Sequence, residues 1–194
     1  FIATVSHELR TPLTSIRSFS EILLDHPDLP ADERQRFIEI IVRESERLTR
    51  LVDDVLDLSR IESGRVDWQV AEFDLRIVLD DALRRFEGAL REHGVELSVD
   101  YGVPRAPVCC DRDRLLQVVL NLLANALKFV PPGRGRIHVA LRNLGNEYLV
   151  RVEDNGPGVP PEMREAIFEK FRQLSRALTD KPHGSGLGLT ISRE

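Results

Sequence analysis

The chain has 194 residues, 42% of them hydrophobic and 30% charged, with a net charge of −5. That length holds one large domain or two small ones, and the composition is that of an ordinary soluble globular chain. The acidic balance excludes whole-chain nucleic-acid binding by charge. No apolar run is long enough to read as a membrane-spanning helix, and no signal peptide is visible. The two cysteines, Cys109 and Cys110, are adjacent. That is a poor geometry for a structural disulfide and too few ligands for a metal site, so they read as buried strand thiols in a reducing compartment. Phe1 is not a natural start, and the chain reads as the catalytic end of a longer protein.

Residues 1–26 carry a heptad: Ile2, Leu9, Ile16 and Leu23 share one core position, and Val5, Pro12 and Phe19 the other. Pro12 removes a backbone donor in mid-helix and is expected to kink it. This register puts His7 opposite the seam, exposed to solvent. An imidazole nitrogen there can attack a phosphoryl group and hold it, although an isolated surface histidine usually does nothing. Thr11 lies four residues on, on the same face as His7. Glu8 is long enough to reach back to the ring, fix its tautomer and take its proton. Both also have an ordinary reading, as a solvated helix face and a hydroxyl bonded to a carbonyl near Pro12.

A turn at His26 to Asp32 leads to a second periodic run: Phe37, Ile41, Glu44, Leu48, Leu51, Val55 and Leu58. Ile38, Ile40 and Val52 widen its apolar stripe, and Glu44 is its one polar break. Two helices cannot cover stripes this wide. Two copies of the hairpin forming a four-helix bundle can, which predicts a homodimer through residues 1–60.

Residues 61–72 read as a linker. Beyond it, Leu75 to Glu92 reads as a helix, Val95 to Tyr101 as a strand, and Val108 to Cys110 as a short strand. Asp111 is the N-cap of a helix from Arg112 to Phe129. Arg136 to Leu141 and Tyr148 to Val152 flank Asn143-Leu144-Gly145-Asn146, a hairpin signal. Strands mixed with long helices predict an α+β sandwich over residues 73–194.

Asn121 and Asn125 are one turn apart on one helix face. Their amide oxygens suit a Mg²⁺ that keeps several waters and bridges phosphates, and Lys128 could meet a phosphate oxygen. Capping and surface amides are the plainer explanation. In DNGPGV (Asp154 to Val159), Gly156 and Gly158 let the backbone approach a flat ligand, and Asp154 can accept from an exocyclic amine such as adenine's. An ordinary turn after a strand would look the same. GSGLGL (Gly184 to Leu189) precedes a helix expected from Leu187 onward and offers N–H groups to phosphates, without being a P-loop. Between them, Arg172 to His183 reads as a flexible lid, with Phe168 and Phe171 at its near edge.

FIATVSHELRTPLTSI resembles the H-box of the sensor histidine kinases of two-component signalling. The later strings resemble the N, G1, F and G2 boxes of the ATP-binding fold that those kinases share with Hsp90, gyrase and MutL. The resemblance covers essentially the whole chain. It implies a dimeric four-helix bundle built from the helical hairpin, followed by a Bergerat-type α+β sandwich. It implies a protein histidine kinase using ATP and Mg²⁺, with His7 the phosphoacceptor and Glu8 the base. Thr11 would position the water that hydrolyses the partner's phospho-aspartate. Asn121 and Asn125 would sit at the Mg-ATP, Lys128 at phosphate and Asp154 at adenine, with Phe171, Gly156 and Gly158 around the nucleotide. Gly184, Gly186, Leu187 and Gly188 would shape the lid hinge. The expected partner is a response-regulator receiver, docking near Ser15, Ser18 and Glu21. The expected location is cytoplasmic, whether the parent protein is membrane-anchored or soluble. The family's domain carries further sheet beyond the position of Glu194. The competing class is an ATP-driven clamp of the Hsp90 or MutL kind, which would not need an exposed histidine on a dimerising hairpin.

Overall fold

The computed structural model describes residues 2–172 and 185–194. The chain divides into two compact units: residues 1–66 with the described parts of 169–173 and 183–187, and the rest from Asp67 onward.

The first unit is a helical hairpin. Helix α1 (Ile2–Asp25) runs unbroken through Pro12, which is buried, and α2 (Ala31–Glu62) returns against it. Arg34 stitches the turn by donating from Nη2 to the carbonyls of Pro27 (3.0 Å) and Leu29 (3.3 Å). The heptad residues Val5, Leu9, Ile16, Phe19 and Leu23 are half-buried, as are Phe37, Ile41, Leu48 and Val55, while Leu51 and Leu58 are fully buried. Phe19 and Phe37 meet with ring centroids 5.2 Å apart. Ile2, at the open end of the seam, is exposed instead. Ile38, Val42, Val52 and Leu56 also stay exposed, so α2 keeps an apolar stripe beside the covered one.

The second unit packs two helices against a three-stranded sheet and carries a separate two-stranded one. Strand β1 (Val70–Asp74) pairs antiparallel with β3 (Pro107–Asp111). Strand β2 (Glu96–Tyr101) runs parallel to β4 (Arg136–Asn143), which pairs antiparallel with β5 (Tyr148–Asp154). Helices α3 (Leu75–Glu92) and α4 (Arg112–Phe129) cover one sheet face. The core lies between them: Val78, Leu79 and Ala82 of α3, Val119 and Leu123 of α4, and Ile137, Val139 and Leu141 of β4. Burying each leucine or isoleucine there stabilises the unit by about 2 kcal/mol. Arg112 ties the helices at their polar edge, Nη2 lying 3.0 Å from Asp81 Oδ2, and this pairing holds the Asp81 carboxyl below its usual range.

Two expectations need correction. The stretch 61–72 contains the last residues of α2 and the first three of β1, so only its middle connects elements. Strand β1 has a single half-buried large apolar side chain, Phe73, and its identity comes from pairing with β3. Cys109 and Cys110 do lie on a strand, but Cys109 is exposed and only Cys110 is partly covered, its thiol pushed up by burial.

Candidate functional site

In the hairpin unit, His7 is 76% exposed. Its Nδ1 lies 3.9 Å from Glu8 Oε1, so Nε2 is the ring nitrogen facing away from the carboxylate. Glu8 is held differently, with its side chain 25% exposed and turned toward α2. The Thr11 hydroxyl donates to the His7 carbonyl at 3.3 Å. The hydroxyl therefore has the local backbone partner expected for the plainer reading of Thr11.

The same unit contains the residues flanking the expected lid. Phe171 adopts φ +61°, and its N–H donates to Gly186 O at 3.0 Å. Gly186 has φ +70°, and a Cβ there would lie 2.9 Å from the Phe171 backbone. Only glycine fits both demands. Leu187 is fully buried. The Leu187 N–H donates to Ser185 Oγ (3.2 Å), which donates to Asp54 Oδ2 (2.6 Å). Burial pushes the Asp54 carboxyl above its ordinary range, against the opposite pull of that hydrogen bond. Nothing in the sequence had singled out Asp54. Gly184 and, apart from Arg172, the expected lid lie outside the described residues.

In the second unit, α4 begins where Asp111 Oδ1 accepts from the N–H groups of Asp113 (3.0 Å) and Arg114 (3.1 Å). That cap fixes the face on which Asn121 and Asn125 stand. Asn121 Nδ2 donates to Gly188 O (3.1 Å) and Ser192 Oγ (3.2 Å), both on the short helix α5 (Gly188–Arg193). Helix α5 begins one residue later than expected. With the amide nitrogen committed, the amide oxygen is the end left to face a cation. Asn125 is half-buried one turn on. Lys128 Nζ rests 5.1 Å from the centroid of the Phe129 ring.

Asp154 ends β5, and its Oδ1 accepts from Gly156 N at 2.8 Å. A Cβ on Gly156 would lie 2.9 Å from Phe129 O, so this glycine lets the turn close onto the end of α4. Gly158 has φ +71° and open space around it. Thr190 is buried and donates to Phe168 O at 2.9 Å, fixing α5 against the turn Ala166–Phe168.

Asn121 and Asn125 are the residues of this unit whose amide oxygens could hold a divalent cation. Among the described residues no cluster of three His, Cys, Asp or Glu side chains could hold a metal by itself. Amide oxygens are hard donors, and such an ion would take its remaining ligands from phosphates and water.

One unit thus presents an exposed histidine on a helical hairpin, and the other presents paired amides and an Asp-Gly turn on a helix–sheet fold. Two family models match accordingly: the His Kinase A (phospho-acceptor) domain over residues 1–64, and the Histidine kinase-, DNA gyrase B-, and HSP90-like ATPase over 110–194. The circadian input-output histidine kinase CikA of Synechococcus elongatus is 36% identical over 197 residues, covering 100% of this chain and 26% of CikA. A solved mycobacterial sensor histidine kinase, MprB, is 34% identical, with 64% of this chain and 76% of that one covered and a TM-score of 0.53. The histidine kinase ThkA, solved in complex with the response regulator protein TrrA, gives a TM-score of 0.80 at 29% identity, covering 99% of this chain and 52% of that one. The chain belongs to the sensor histidine kinases of two-component systems. It spans between 13% and 32% of the length of curated relatives it matches.

Proposed function

We propose that this chain binds ATP through residues 73–194, transfers the γ-phosphoryl group to His7, and passes it to an aspartate of a response-regulator receiver. The observation that carries this is the exposed His7 ring with Nδ1 toward Glu8 at 3.9 Å. Neutral His7, protonated on Nδ1, attacks the γ-phosphorus through Nε2. The Nε2–P bond forms as the bond to the β,γ-bridging oxygen breaks, and ADP leaves. Glu8 Oε1 takes the Nδ1 proton, so the ring carries no net positive charge after transfer. Barrier lowering comes mostly from alignment and charge stabilisation.

Asn121 and Asn125 would hold Mg²⁺, which neutralises phosphate charge when bound. Lys128 would swing from the Phe129 ring to a phosphate oxygen. Asp154, one oxygen already fixed by Gly156, would take the adenine amino group with the other. Thr11 would orient the water that releases phosphate from the receiver. The regulator bound to ThkA supports the receiver as partner, with Ser15, Ser18 and Glu21 as the docking face. Two copies would pair through the uncovered stripe of α2. A core that draws on ATP would work in the cytoplasm.

The test is incubation with γ-labelled ATP. A label that is acid-labile, base-stable and absent in His7→Gln is expected. ATP hydrolysis without protein label would instead identify an ATP-driven clamp. No helix among the described residues is long and apolar enough to cross a membrane.

A further inference from the structure

Glu44 interrupts the apolar stripe of α2, and its partner is Arg47 on the same helix, which also reaches Glu8 across the seam. Arg47, one turn on, places Nη1 3.4 Å from Glu44 Oε2 and Nη2 3.8 Å from Glu8 Oε2. All three side chains are largely covered: Glu8 is 25% exposed, Arg47 26% and Glu44 20%. Without the guanidinium, two carboxylates would share a half-buried seam with no opposite charge between them, an arrangement that ionised groups disfavour. The planar fork of arginine suits two acceptors at once, which a lysine ammonium on a flexible stem does not.

The division of the Glu8 oxygens is the informative part. Oε2 faces Arg47 while Oε1 faces His7 Nδ1. An exposed glutamate on a helix would rotate among several rotamers. Here the ion pair with Arg47 at 3.8 Å draws one oxygen toward α2 and leaves the other 3.9 Å from the ring.

We propose that Arg47, anchored by Glu44, is a positioning residue for phosphoryl transfer, orienting the Glu8 carboxylate toward His7 Nδ1. This rests on the reading of His7 as phosphoacceptor and Glu8 as its base. Arg47 touches neither the nucleotide nor the reacting atoms; it acts through Glu8. A misplacement of about 1 Å at a catalytic group is enough to slow a reaction by about two orders of magnitude.

The experiment measures autophosphorylation of the full 194-residue chain over a range of γ-labelled ATP concentrations. Arg47→Met is expected to lower the rate at saturating ATP by about tenfold or more and leave KM for ATP within about twofold. Arg47→Lys is expected to recover part of the rate, and Glu44→Gln to lose part of it. In a double-mutant cycle, Arg47→Met added to Glu8→Gln should change the residual rate little, because the group it orients is already altered. Additive losses, or a loss confined to KM, would overturn the proposal. If Arg47→Met does not fold, the Lys and Gln variants decide: wild-type rates in both overturn it. A label that survives His7→Gln overturns the function itself. A label lost in His7→Gln beside an unimpaired Arg47→Met overturns the positioning role alone.

Discussion

Gly186 and Gly188 sit two residues apart and are constrained differently. A Cβ at Gly186 would meet Phe171 backbone at 2.9 Å on a residue with φ +70°, whereas at Gly188 it would touch the Asn121 side chain at an ordinary 3.4 Å. A left-handed conformation costs a non-glycine residue about 1–2 kcal/mol before any clash is counted. Gly186→Ala is therefore expected to weaken ATP binding by roughly tenfold or more, and Gly188→Ala by less than about threefold. Titration calorimetry with a non-hydrolysable ATP analogue reads both, and equal losses would show that the Phe171 contact does not govern the segment. This difference could not be read from the string GSGLGL, where the glycines look equivalent. The exposure of His7 could be read, because a heptad assigns every residue an angle. Arg47 could not: its importance depends on the pairing of α1 with α2, and only the oddity of Glu44 in an apolar stripe pointed toward it.

Among the elements, those with an internal signal were legible. The periodicity of α3 and α4 and the cap at Asp111 placed both helices correctly, and the Asn143 turn placed the β4–β5 hairpin, where Asn143 Oδ1 accepts from Gly145 N at 2.7 Å. Strand β1 carried too little apolar alternation to stand out; its register comes from a partner far along the chain. The Asp111 cap also supports that partner, since Oδ2 accepts from Gln69 N at 2.9 Å just before β1. These backbone donors, led by Arg114 N–H, hold the Asp111 carboxyl below its usual range. A lowered folded-state value means the stabilisation is complete above the ordinary carboxylate range and is lost as pH falls through the folded value. Asp111→Ala is expected to cost about 1 kcal/mol at neutral pH, as helix caps commonly do. The difference from wild type should shrink in acid. Hydrogen exchange at the Asp113 and Arg114 amides against pH measures it, and a deficit independent of pH would count against the cap.

Across the whole molecule, the hairpin unit leaves Ile38, Val42, Val52 and Leu56 exposed along α2. Burying such side chains between two copies would contribute about 1.5–3 kcal/mol each when complete. The chain is thus expected to elute at twice its 22.1 kDa mass, and Val42→Glu with Val52→Glu at the monomer mass. Light scattering behind a sizing column reads both, and a monomeric wild type would refute the bundle.

The parallel pairing of β2 with β4 has a consequence during synthesis. Ser98 and His138, hydrogen-bonded neighbours at 2.8 Å, are 40 residues apart in sequence. Helices α1 and α2 need only the five residues between them to meet. The emerging chain therefore holds a complete hairpin while β2 still waits for its partner strand. The hairpin unit is complete before the second unit has the three-stranded sheet on which to fold.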